Sequence, residues 1–261
     1  MYEAIKRIFQ YRDLLTMLTT RDLRIRYKQA AMGFIWAIFM PIIAVCAGIL
    51  IKKAMAVVSQ RPLEVEDIIS ITVKVLPWTF FISSIRFSVQ SLVGNSALVT
   101  KIYFPRAVLV LSSILACLVD FSIAMLVVIV LLTIFKVGVS VYLLWLPLFL
   151  LLLILYTFGL GLILSAANLF YRDIKYVVEI ILMFGIFFTP VFYEASAFGR
   201  WKPIMLLNPL GSLLEQINAV VVFHRMPDMF WTSYAIAMSL IVFLLGMVIF
   251  HKAEPKFAEN I

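Results

Sequence analysis

AVLVLSSILACLVDFSIAMLVVIVLLTIF, residues 107 to 135, holds a single charge, Asp120, in a run well past the roughly 20 residues with which a helix crosses a bilayer core. Backbone polar groups inside lipid must be satisfied within their own segment. The run is also too long for a barrel strand, so it reads as a transmembrane helix. The rest of the chain repeats the pattern. Of its 261 residues 64% are hydrophobic and 14% charged, with a mean hydropathy of +1.07, whereas a soluble domain averages about 25% charged residues. The fold class is an all-α membrane protein.

Six segments qualify as spans, at about 32–51, 75–93, 107–135, 141–168, 174–193 and 229–250. They divide the chain into an N-terminal region 1–31, a six-helix transmembrane domain 32–251 and a tail 252–261. With the N terminus in the cytoplasm, the inner segments hold 13 Lys and Arg against seven outside, and seven of the 13 lie in residues 1–31. That asymmetry places both termini inside. It also assigns the net charge of +8 to membrane orientation and anionic lipid, not to nucleic acid. Those basic residues precede any long apolar run, so the first span is expected to act as its own insertion signal.

Residues 1–31 are read as an amphipathic helix on the inner surface, because Ile5, Ile8, Phe9, Leu15 and Leu18 recur at helical spacing between basic residues. Thr19 and Asp22, three apart, suggest a capping box that starts a second helical piece. The segment 194–228 contains two apolar pieces too short to span, divided by Asn208, Pro209 and Gly211. The second puts Leu213, Leu214, Ile217, Val220 and Val221 on one face, as in short re-entrant helices. An amphipathic helix resting on the outer surface is the alternative.

Charges within or beside spans are expected to be modest in role. Lys74 and Arg86 read as boundary residues that snorkel. Asp120 could stand on a pathway or at a subunit contact, but with no second acid or His nearby the favoured reading is a hydrogen bond to a neighbouring helix such as one carrying Ser or Thr. In NLFYRDIKYVVE (168–179), Arg172 and Lys175 fix topology, Asp173 caps the following helix, and Lys175 pairs with Glu179. Cys46 and Cys117 read as small buried hydrophobes.

No GxxxxGK[ST] phosphate loop occurs, so ATP would be bound and split elsewhere, and no HExxH accompanies the two histidines, His224 and His251. No metal site, cofactor or enzymatic activity is expected of this chain. Aromatics gather at Trp78, Phe80 and Phe81, then at Phe184, Phe187, Phe188 and Tyr193, with Trp201 beyond. They fit either an interfacial belt or a pore whose faces let sugar rings slide.

Five segments together, RDLRIRYKQAAMGFIWAIFMPI (21–42), LPWTFFISSIRFSVQSLVGNSALVTKIYFPRAVLVLSS (76–113), NLFYRDIKYVVEIILMFGIFFTPVFY (168–193), LLNPLGSLLE (206–215) and KFAENI (256–261), resemble the permease subunits of type-2 ATP-binding-cassette polysaccharide exporters. The O-antigen, capsular polysaccharide and teichoic acid permeases belong to that group. The resemblance implies a homodimer in the bacterial inner membrane, with a channel for a polyprenyl-pyrophosphate-linked glycan. A separate ATPase dimer would hold ATP and Mg. The 94–106 loop would be the coupling helix, where Asn95, Lys101, Tyr103, Pro105 and Arg106 meet the ATPase, with Arg172 and Asp173 beside it. Arg21, Arg24, Arg26 and Lys28 would stand at the substrate entrance, and Trp201 to Phe223 would form re-entrant pore helices. Trp78, Phe80, Phe81, Phe184, Phe187, Phe188, Tyr193 and Trp201 would line the pore. The chain departs from the family at Met40, where Gln is common, and at EQINAVVV (215–222), where an arginine is missing. A type-2 permease for another lipid or drug is the nearest alternative, and a membrane-embedded lipid or sugar transferase a more distant one.

Overall fold

The computed structural model describes residues 10–28, 35–59, 64–134, 138–257 and 259–260, and over these the chain is helical with no strand. Residues Ile5, Ile8 and Phe9 of the expected surface helix, and the first residues of the expected first span, lie outside them. Helix α1 (Arg12–Tyr27) is followed by α2 (Trp36–Ser59), α3 (Val65–Gln90), the short α4 (Ser96–Lys101) and α5 (Ala107–Ile134). Then come α6 (Leu146–Phe170), α7 (Ile174–Gly185), α8 (Lys202–Leu206), α9 (Pro209–Val221) and α10 (Met229–Ala253). Among the described residues, four stretches are long and apolar enough to cross a membrane: Val65–Gln90, Ala107–Val130, Val141–Phe170 and Met229–Lys256. The protein is a multi-pass membrane protein.

Helix α3 is the axle of the bundle, buried on nearly every side between α5, α6, α2 and α9. It begins ten residues before the expected Val75. Glu64 and Asp67 form a reciprocal capping box, and Asp67 also receives Lys52 of α2. Acidic residues there suit the positive end of the helix dipole. The early start carries Lys74 well inside the helix instead of at its end. Its side chain is 1% exposed, with Nζ donating to the Tyr193 carbonyl at 2.6 Å and to Glu215 Oε1 at 3.3 Å. The snorkelling expectation is therefore corrected: this amine is held by α9 and by the chain leaving α7.

The broadest packing joins α6 to α10, and two glycines permit it. A Cβ on Gly159 would lie 2.5 Å from the Phe243 Cα and the Val242 oxygen, and one on Gly246 would meet the Gly159 carbonyl. Small residues of this kind let helix backbones touch in a membrane, where apolar burial against lipid gives little drive. Asp228 caps α10, accepting from Phe230 N at 3.0 Å and Trp231 N at 3.4 Å.

Three expectations need correction here. The 174–193 segment is regular helix only over the 12 residues Ile174–Gly185, about 18 Å long. Beyond Gly185 it turns, with Thr189 Oγ1 bonding the Gly185 carbonyl at 2.8 Å and Tyr193 Oη the Phe187 carbonyl at 2.8 Å, before Pro190 removes a backbone donor. Helix α1 runs unbroken through Thr19, whose hydroxyl bonds back to the Leu15 carbonyl at 2.8 Å, so no second piece starts there. Cys117 is buried as expected, but Cys46 is exposed on α2. The α9 face meets its expectation, with Leu213, Leu214, Ile217, Val220 and Val221 all buried. Asn208 starts that helix by accepting from Leu210 N at 3.1 Å, and its amide nitrogen reaches Thr189 Oγ1 at 2.8 Å.

Candidate functional site

Three groups of residues stand out, two of them at the end of the bundle where the C-terminal tail lies. The first is the 94–106 loop. Leaving α3, the chain turns through Val93–Asn95, with Asn95 Nδ2 donating to the Ser91 carbonyl at 2.8 Å, and then makes the short six-residue helix α4. Val99 and Phe104 are buried and pin the loop to the bundle. Between them Lys101, Ile102 and Tyr103 stand outward, Tyr103 at 82% exposure. Pro105 is half-buried. Arg106 faces inward: its backbone N–H donates to Glu254 Oε1 at 3.0 Å, and Nη2 lies 3.5 Å from the Val99 carbonyl. Arg172 and Asp173 are exposed on the turn between α6 and α7, and Arg172 shares with Val93, Ser96, Leu169 and Asn260 a cavity of about 150 Å³.

Asp173 does not cap α7, since it already has helical backbone angles and makes no side-chain cap bond. The buried Asn168 does part of that work. Its Oδ1 accepts from Lys175 N at 3.2 Å while Nδ2 donates to the Val89 carbonyl at 2.9 Å, which ties the ends of α3 and α6 to the start of α7. The expected Lys175–Glu179 pair is likewise replaced. Glu179 takes a two-point bond from Arg86 at 2.7 and 2.8 Å, and Lys175 Nζ lies 4.7 Å over the Tyr176 ring. Arg86 is thus a partner of α7 and not merely a boundary charge. The fork of a guanidinium fits a carboxylate better than an ammonium does.

The second group is a polar seam where α1 lies along α5. Arg21 pairs with Asp22 at 2.7 Å, and Asp22 accepts from Ser112 Oγ at 3.3 Å. Arg26 reaches Asp120 at 3.0 Å with its guanidinium 3.7 Å over the Phe87 ring, and Tyr27 donates to the other Asp120 oxygen at 2.8 Å. Asp120 is therefore paired with a cation and a phenol, in place of the expected Ser or Thr. Burial, and after it the Asp120 carboxylate, push the Tyr27 hydroxyl well above its ordinary pKa, so it stays a donor. Of the four basic residues proposed from sequence for the entrance, Arg24 and Lys28 alone are exposed and make no ion pair among the described residues.

The third group is aromatic, and the structure divides it. Trp78, Phe80 and Phe81 are buried inside the protomer, Phe80 against Phe121 at 5.2 Å between centroids and Phe81 stacked on Tyr156 at 6.0 Å. That packing leaves these three almost no exposed surface on this chain. Phe184, Phe187 and Phe188, by contrast, are 50%, 65% and 68% exposed at the end of α7. Trp201 is also exposed, and Tyr193 is half-buried against Phe198 at 5.0 Å. The sequence carried no sign of Asn168, Glu254 or the Arg26–Asp120 link as parts of these groups, since each joins segments remote in the chain.

The chain is similar in sequence to known proteins over nearly its whole length. An O-antigen export system permease protein RfbA from Klebsiella pneumoniae is 29% identical over 255 residues, covering 95% of this chain and 94% of that protein. One from Myxococcus xanthus is 28% identical over 264 residues, covering 100% of both. The sequence profile of the ABC-2 type transporter family matches residues 13–222, from the start of α1 through α9, and so takes in the 94–106 loop, the α1–α5 seam and the aromatics, but not Glu254 or Asn260. By the extent of that match, the chain belongs to the ABC-2 type transporter family.

Proposed function

We propose that this chain is the permease subunit of an ATP-driven exporter that moves lipid-linked polysaccharide of the O-antigen type across the bacterial inner membrane. The observation that carries the reading is the exposed aromatic run Phe184, Phe187 and Phe188, at the end of α7 and in the turn beyond Gly185, where the helix is only lightly packed against the rest of the chain. Aromatic faces offer stacking surfaces to the apolar faces of sugar rings at little conformational cost. A row of such surfaces holds a chain of sugars without one tight site. The relatives' names supply the cargo class.

In this reading α2 and the 174–193 segment complete six crossings, and two copies enclose a channel against the α7 faces. The tail end of the bundle, with both termini, is cytoplasmic. There the 94–106 loop receives an ATPase dimer that holds ATP and Mg, and α1 is the gate helix. Arg24 and Lys28 are the residues open to the pyrophosphate of a polyprenyl carrier. Helices α8 and α9 re-enter from the outer face, with Trp201 and Tyr193 toward the exit. A type-2 exporter of some other lipid would use the same frame, but would not need an aromatic row facing the channel.

The test is export by the F184A/F187A/F188A variant in cells lacking the wild-type permease. We expect surface glycan to fall by about tenfold, as when roughly 1.4 kcal/mol of contact is lost along the path, while the ATPase still copurifies. Wild-type export would mean that these rings face lipid.

A further inference from the structure

The C-terminal tail does not hang free of the bundle. After α10 it makes the turn Glu254–Lys256, and Phe257, which follows, is wholly buried. The Phe257 ring lies 5.1 Å from Phe250 of α10 and 5.9 Å from Phe170 at the end of α6. Glu254 Oε1 accepts from the Arg106 backbone N–H at 3.0 Å with the guanidinium 4.0 Å away, and its other oxygen lies 3.7 Å from His251 Nδ1. That N–H stands just before the first turn of α5, where backbone donors lack helical partners, and its acceptor comes from 148 residues further along the chain. Asn260 then closes one side of the cavity that Ser96 and Arg172 line from the other segments.

We infer that the tail is a strut for coupling: Glu254 and Phe257 are positioning residues that make the 94–106 loop and the near end of α10 move as one body. The inference rests on the reading of that loop as the ATPase contact. Val99 and Phe104 seat the middle of the loop, and Glu254 adds a tie from the tail where the loop enters α5. A charged acceptor on a part-buried N–H, backed by an aromatic wedge, makes the loop stiff. Because α10 is in backbone contact with α6 through Gly246 and Gly159, displacement of the loop is delivered to that helix pair as well as to α3 and α5.

The test uses the permease co-expressed with the ATPase of its exporter and reconstituted in liposomes, with glycan exported per ATP hydrolysed as the readout. E254A should lower that ratio about fivefold, the scale of one lost hydrogen bond, with the ATPase bound as in wild type. E254Q keeps an oxygen that accepts from Arg106 N–H and should retain most of the ratio. Bridging S96C to N260C with a short bifunctional thiol reagent should leave export intact, because the two sites travel together. An unchanged ratio in E254A, equal damage in E254Q, or loss of export on bridging would each overturn the strut. Failure of the loop reading itself would show separately, as an ATPase that still binds a K101E/Y103A permease.

Discussion

A permease carrying Lys101→Glu together with Tyr103→Ala is expected to lose its ATPase on purification and to export no glycan, while remaining inserted in the membrane. Both side chains stand clear of the bundle and neither makes an ion pair or ring contact among the described residues, so their removal costs the fold little. An exposed Tyr beside a cation has the character of an interface anchor. Such anchors cost about 2–4 kcal/mol on truncation, or at least roughly 30-fold in affinity. Reversing the Lys101 charge adds repulsion from any acidic partner. Pull-down of the ATPase on the tagged variant reads the effect directly. Arg106 is a poor choice for the same experiment, because its guanidinium and backbone are engaged with Val99 and Glu254 and its loss would disturb the loop itself.

The second large effect is on stability. Gly159→Leu and Gly246→Leu each drive a side chain into the backbone of the facing helix, where no flexible side chain can yield. Overpacking of this kind costs about 1–3 kcal/mol and more when backbone must move, so α6 and α10 should separate. Expected outcomes are a thermal midpoint in detergent lower by several degrees, by about 2–4 °C per kcal/mol for a chain of this size, and a smaller folded yield. Gly138→Ala is the control, since its new methyl would find only ordinary contact, 3.7 Å from His224 Nε2. Equal melting of the two α6–α10 variants and the control would show that the close crossing does not hold the bundle.

Long apolar runs were legible because a helix in lipid needs nothing from the rest of the chain to be recognised. Within the described residues, the expected 107–135 span is helical throughout as Ala107–Ile134. The buried face of α9 was legible for a related reason, its apolar residues repeating at helical spacing. The fifth segment was read too long, since Gly185 and Pro190 are compatible with a membrane helix until Thr189 and Tyr193 are seen to bond back and turn the chain.

The charges were harder, and for one physical reason. Asp120, Lys74 and Arg106 find partners 94, 119 and 148 residues away, so no local pattern could name them. Asp120 and Lys74 were read as isolated charges and Arg106 as an ATPase contact, yet each fastens two elements together. The aromatics pose the converse problem. Phe80 and Phe187 are the same residue type in apolar runs, yet one is 3% exposed and the other 65%, a difference set by the elements packed around each. The N-terminal basic residues divide in the same way, Arg26 being spent on Asp120 while Arg24 and Lys28 stay open.

The most direct measurement is reconstitution of this chain with its ATPase in liposomes loaded with a polyprenyl-pyrophosphate-linked O-antigen glycan, followed by assay of the glycan on the far leaflet. The account predicts translocation that requires ATP, the permease and the ATPase together, and that falls away in the F184A/F187A/F188A variant. Translocation without the permease, or an intact permease–ATPase complex that hydrolyses ATP and moves no glycan, would contradict it.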